Sequence, residues 1–172
     1  MSQHATGRAE KRDGTLCIVF ERRFRAPIDA VWAAVTEPDR LARWIGRYTG
    51  DPTTGTVSFT MSAEGDDVAA EDITITECEP PRHLAVVMPG PEGAPWSLTV
   101  DLVEQAGETV LRFAQAMDDP DLASSVGPGW DYYLDRLAAA VSQADVEAIS
   151  FDDYYPAFAE HYRVAVERGR LA

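Results

Sequence analysis

In WSLTVDLVE, residues 96 to 104, Trp96, Leu98, Val100 and Leu102 alternate with Ser97, Thr99 and Asp101. A period of two is that of a strand with one buried face and one wet face. The same period recurs in TVSFTMS, where Val57, Phe59 and Met61 share a face, and in RHLAVVM, where Leu84, Val86 and Met88 do. TLCIVFERRF (15 to 24) and EDITITECE (71 to 79) are also strand-like, the second ended by Pro80-Pro81. In TVLRFAQAM, Leu111, Phe113 and Met117 fall on one side, after a short EQAGE turn. The connections are short, which predicts a meander of antiparallel hairpins.

The period lengthens to that of a helix in three places. After Pro27, placed at a first helical position, Ile28, Val31, Trp32 and Val35 recur at i, i+3, i+4 and i+7. Pro38 opens a second short helix, with Thr36 as its cap, Leu41, Trp44 and Ile45 as its apolar face, and Gly46 as its stop. GWDYYLDRLAAAV (129 to 141) predicts a long helix, with GPG at 127 to 129 as the turn leading into it. Trp130, Tyr133, Leu134, Leu137 and Val141 share its apolar side, and Asp131, Asp135 and Arg136 point elsewhere. Strand, two short helices, a run of strands and a long helix predict an α+β fold with helices on one face of an antiparallel sheet. A twisted sheet curls, and a helix laid into the curl leaves space between them. Small apolar ligands bind in such gaps.

Composition narrows the roles. At 172 residues the chain suits one domain, with residues 1–13 as a disordered tail and 147–172 as a helical extension docked on residues 14–146. Phe158, His161, Tyr162 and Ala165 give the extension a partly apolar face; docking on its own domain, a lid over the cavity and a homodimer contact are the roles open to it. The net charge is −14, and residues 51 to 80 carry eight acids and neither Lys nor Arg, which disfavours nucleic acid and membrane surfaces as partners. No apolar run approaches a membrane span and the first residues lack a signal core, so a cytoplasmic location is expected. Cys17 and Cys78 read as two buried reduced thiols. His4, His83 and His161 are too scattered for a metal site, and no cofactor motif is present, so neither a metal nor a cofactor is expected. Arg22, Tyr48, Asp101, Arg112, Gln115 and Tyr133 are the polar groups nearest the expected cavity, with Asp101 and Arg112 as a solvated cross-strand pair.

Four stretches in order, APIDAVWAAVTEPDRLARWI, ECEPPRHLAV, WSLTVDLVEQAGETVLRFAQAM and GWDYYLDRLAAAV, resemble the START-like (SRPBCC, helix-grip) superfamily. Within it they are similar to the C-terminal domain of the heat-shock protein 90 ATPase activator. The resemblance implies a curved antiparallel sheet around a long C-terminal helix, with a hydrophobic cavity between. Members of the superfamily include lipid carriers, hormone receptors and cyclases. The founding chaperone activators have a further N-terminal domain that takes part in chaperone binding, and its counterpart here is a short polar tail.

The expected function is binding of a lipophilic or aromatic small molecule. Its cavity would be lined by Trp32, Trp44, Tyr48, Phe59, Met61, Trp96, Leu98, Val100, Phe113, Trp130, Tyr133, Leu134 and Leu137. A polyketide cyclase or dehydratase is the enzymatic alternative, and a chaperone- or stress-linked interaction protein is the third reading. The sequence leans away from catalysis, since no acid–base constellation is visible.

Overall fold

The computed structural model describes residues 4–62 and 68–172. Among these, strands β1 (Arg8–Arg12), β2 (Thr15–Phe24), β3 (Gly46–Thr49), β4 (Thr56–Met61), β5 (Glu71–Glu79), β6 (His83–Pro89), β7 (Pro95–Gln105) and β8 (Glu108–Ala116) form one antiparallel sheet. Its order is β1-β2-β8-β7-β6-β5-β4-β3, so β3 to β8 run as a meander and β2 closes onto the last strand. Helices α1 (Ile28–Thr36) and α2 (Pro38–Leu41) cover part of one face, α3 (Ala123–Val141) lies in the curl, and α4 (Ala159–Leu171) packs on α3 and β1. The core is the seam where β2, β8, α1 and α3 meet, with Phe20, Val31 and Leu137 fully buried.

The register follows the alternation. Leu84, Val100 and Phe113 lie side by side across β6, β7 and β8, as do Val86, Leu98 and Gln115. A bulge between Ile75 and Glu77 inserts one residue in β5. Ile73 and Ile75 before it and Cys78 after it therefore share the concave face. Cys78 is thus an exposed thiol on the cavity wall, whereas Cys17 is buried, and only the second fits the expectation of two buried cysteines.

Several elements differ from the sequence reading. The expected N-terminal tail contains β1, while residues 1–3 of it lie outside the described residues. Strand β1 pairs with β2 from Arg8–Val19 to Arg12–Thr15. Its two-residue loop, Asp13-Gly14, has positive φ at both positions, as a type I′ hairpin requires. Gly46 opens β3 rather than merely ending a helix. Pro27 and Glu37, not Thr36, occupy the N-cap positions of α1 and α2, and Thr36 Oγ1 instead donates to Trp32 O at 2.7 Å. Helix α3 begins at Ala123, with Gly127 and Pro128 inside it. The missing Cβ of Gly127 lets the ring of Tyr162 from α4 lie against the helix backbone, where any side chain would collide with it.

The side of α3 away from the sheet is also buried. Asp131, Asp135 and Arg136 were expected at its polar face, yet all three are buried. Asp131 receives the Thr6 amide at 3.2 Å, Arg22 Nη2 at 3.0 Å, and the hydroxyls of Thr6 and Tyr162. Asp135 receives Arg22 Nε at 3.3 Å and the Tyr154 hydroxyl at 2.7 Å. Burial, with the adjacent carboxylates second, raises the pKa of both phenols, so each stays a donor. The N-terminal segment and the C-terminal extension are therefore clasped to α3 through a buried polar cluster. Phe158, Tyr162 and Val166 are buried within the chain, and His161 Nε2 lies 2.8 Å from Gly7 O.

Candidate functional site

Between the sheet and α3 lies a cavity of about 750 Å³. Its strand wall comes from one parity of each strand: Tyr48 from β3, Phe59 and Met61 from β4, Trp96, Leu98 and Val100 from β7, and Phe113 from β8. Trp32 from α1 and Trp44 after α2 close one side, and Trp130, Tyr133, Leu134 and Leu137 from α3 form the roof. All thirteen residues expected around the cavity lie on this wall, whereas Leu102, Met117 and Val141, which share the apolar faces of their elements, do not.

The wall also holds residues that sequence reasoning missed. Tyr132 lines it because α3 is covered on several sides. Phe151, from a 3-10 turn at Phe151–Asp153, reaches the wall from the C-terminal extension. Its ring is edge-on to Tyr132 at 5.4 Å and stacked on Tyr155 at 6.0 Å, and both Phe151 and Tyr155 are more than 40% exposed. Nothing in the periodicity of SFDDYYPAF announces that role; the signal is an aromatic run outside any amphipathic pattern.

The wall contains all four tryptophans of the chain, with three tyrosines and three phenylalanines. Phe113 and Trp130 are in contact at 4.3 Å between ring centroids, and Trp130 continues to Tyr133 at 6.1 Å. Several polar atoms among these aromatics are engaged inside the protein. Trp130 Nε1 donates to Gln115 Oε1 at 2.6 Å, Trp44 Nε1 to Ala34 O at 2.9 Å, and the Tyr48 hydroxyl to Thr36 O at 2.8 Å. Burial, with Glu37 nearby as the lesser cause, raises the pKa of that phenol. Among the described residues the wall carries no carboxylate, imidazole, guanidinium or ammonium.

The other expected polar groups lie elsewhere. Arg22 is turned into the Asp131–Asp135 cluster. Asp101 and Arg112 are register partners on the opposite face, but Asp101 bonds His83 Nδ1 at 2.6 Å. Glu77 takes His83 Nε2 at 2.6 Å, so two carboxylates flank the imidazole and raise its pKa, the Asp101 bond most. Among the described residues no cluster of His, Cys, Asp or Glu could hold a metal ion, and no helix is long and apolar enough to cross a membrane.

A curved eight-stranded antiparallel sheet around a long helix, with two short helices after its opening hairpin, is a START-like helix-grip domain. Residues 25–142 match the family described as Activator of Hsp90 ATPase homolog 1-like protein, and the chain belongs to it. No curated protein matches the chain. Among solved structures it is similar to CalU16 from Micromonospora echinospora, with 24% identity and a TM-score of 0.71 over 95% of this chain and 97% of that one. EF2215 from Enterococcus faecalis, a conserved protein of unknown function, has 22% identity and a TM-score of 0.69 over 94% and 91%. DynU16, a protein of the dynemicin biosynthetic locus, has 25% identity and a TM-score of 0.63 over 81% of this chain and 50% of that one.

Proposed function

We propose that this protein binds a lipophilic or aromatic small molecule in the cavity between its sheet and α3. The observation that carries the reading is a large aromatic wall without charge among the described residues. A volume of about 750 Å³ falls within the ~300–1,000 Å³ of ligand pockets. The cavity is partly open to solvent, so without a ligand it would take up water. Water in it would meet few hydrogen-bonding partners, and an apolar ligand that displaces such water gains affinity.

The cyclase or dehydratase reading needs an acid or base of tuned pKa on the wall. The phenol of Tyr48 is raised and already donates to a backbone carbonyl, which makes it a poor proton shuttle. The likeness to DynU16 favours a small-molecule context over a chaperone-linked one. Native mass spectrometry of the protein purified from its own host tests the reading. A retained small molecule at one per chain is the expected result; a bare chain, together with no uptake from a panel of sterols, polyphenols and fatty acids, contradicts it.

A further inference from the structure

We propose that the cavity takes uncharged or cationic aromatic molecules and rejects carboxylates, an inference that rests on the ligand-binding reading above and names its ligand class. An anion that leaves water needs a cation or several directed donors in exchange. The described wall offers no cation. The indole N–H groups of Trp44 and Trp130 and the hydroxyl of Tyr48 are committed to Ala34, Gln115 and Thr36, and the single N–H groups of Trp32 and Trp96 do not make up for the hydration of a carboxylate. Arg136 lies behind Tyr132 and Trp44, but Nε is held by Trp44 O at 2.9 Å, and its other nitrogens face Val146 O, the Tyr132 hydroxyl and Glu147.

The rim adds to this. Pro52, Cys78, Pro80 and Phe151 are exposed residues of the wall, and each has an exposed acid next to it in the chain: Asp51, Glu77 and Glu79, Glu79, and Asp152. Exposed cations also adjoin the wall in the chain, Arg82 beyond Pro80 and Arg40, Arg43 and Arg47 beside Leu41, Trp44 and Tyr48, but the acids outnumber the cations over the chain as a whole. Residues 51 to 80 contain no Lys or Arg, and the chain as a whole carries −14. A field of that sign raises the local concentration of cations and lowers that of anions. Inside, four tryptophans line the wall, and an indole ring met face-on attracts a cation through its quadrupole, which partly offsets the lost hydration.

Pyrene, 1-pyrenemethylamine and 1-pyrenecarboxylate share one ring system and differ in charge. Their fluorescence titration into the full chain at neutral pH should show the carboxylate binding about 10- to 100-fold more weakly than pyrene, with the amine nearer to pyrene. Lowering the salt should strengthen the amine and weaken the carboxylate further. Ser125→Arg, on the exposed part of the wall, should raise the affinity for the carboxylate relative to that for pyrene and so narrow the gap between them. Equal or tighter binding of the carboxylate, or salt effects of the same sign for both ions, overturns the charge selection while leaving the cavity reading in place. Binding of none of the three overturns both.

Discussion

Arg22 holds two carboxylates, Asp131 at 3.0 Å and Asp135 at 3.3 Å, in a cluster where Asp131 is fully buried. Removing the cation leaves two carboxylates facing each other under the fold. Arg22→Met should therefore cost about 3–5 kcal/mol of unfolding free energy, measured by urea denaturation. A change below about 1 kcal/mol would mean that the cluster is hydrated rather than buried. His83 makes a second, milder prediction. Its pKa is raised in the folded chain by Asp101 and Glu77, so its contribution is fully present below the unfolded value of about 6.5 and is lost as pH rises through the folded value. The stability difference between the wild type and His83→Gln should be largest below about pH 6.5 and shrink as pH rises above it, and be about 1 kcal/mol or less at its largest, because the group lies near the surface. At this scale the alternation was a good guide to which strand side chains face inward. It could not show that Asp131 and Asp135 are buried, because their polarity reads as a solvated helix face until a second layer is known to cover it.

The element that sequence periodicity described least well is the C-terminal extension. Its aromatic residues divide between two tasks: Tyr154 and Tyr162 anchor it to α3, while Phe151 lines the cavity beside the exposed Tyr155. Phe151→Ala and Tyr155→Ala should leave thermal stability nearly unchanged, since both rings are substantially exposed. Phe151→Ala should speed dissociation of a bound neutral dye by about 3- to 10-fold in stopped-flow, because most changes at a binding surface act on the off-rate. Equal off-rates would mean that Phe151 only rests on the rim. The opening hairpin carries a strong two-residue turn signal in Asp13-Gly14, but the polar residues of β1 hide a strand whose pairing is carried by its backbone. Strand β3 was hidden for a different reason, since GRYT is too short to display a period.

For the whole molecule, the order of strands, short helices and long helix indicates an α+β fold with the long helix in the curl of the sheet, because few arrangements bury the inward face of a curled sheet and the stripe of one long helix together, and the helix grip itself was legible in the resemblance of four stretches to that superfamily. The size of the space between them was not, since it depends on how far α3 stands from β5 and β6. That distance is set by the hairpin register, the bulge in β5 and the clasp on the far side of α3, none of which is a local property of the sequence. The central claim is that this space accepts a ligand, and a plug tests it directly. Val86→Trp places a large ring on the cavity wall of β6, where space rather than packed neighbours should receive it. Titration with the neutral dye Nile red, followed by energy transfer from the wall tryptophans, should saturate at one dye per wild-type chain. The plugged variant, with its melting temperature within a few degrees of the wild type, should lose at least about tenfold in affinity. Saturable binding unchanged by the plug, or none in the wild type, would contradict the account.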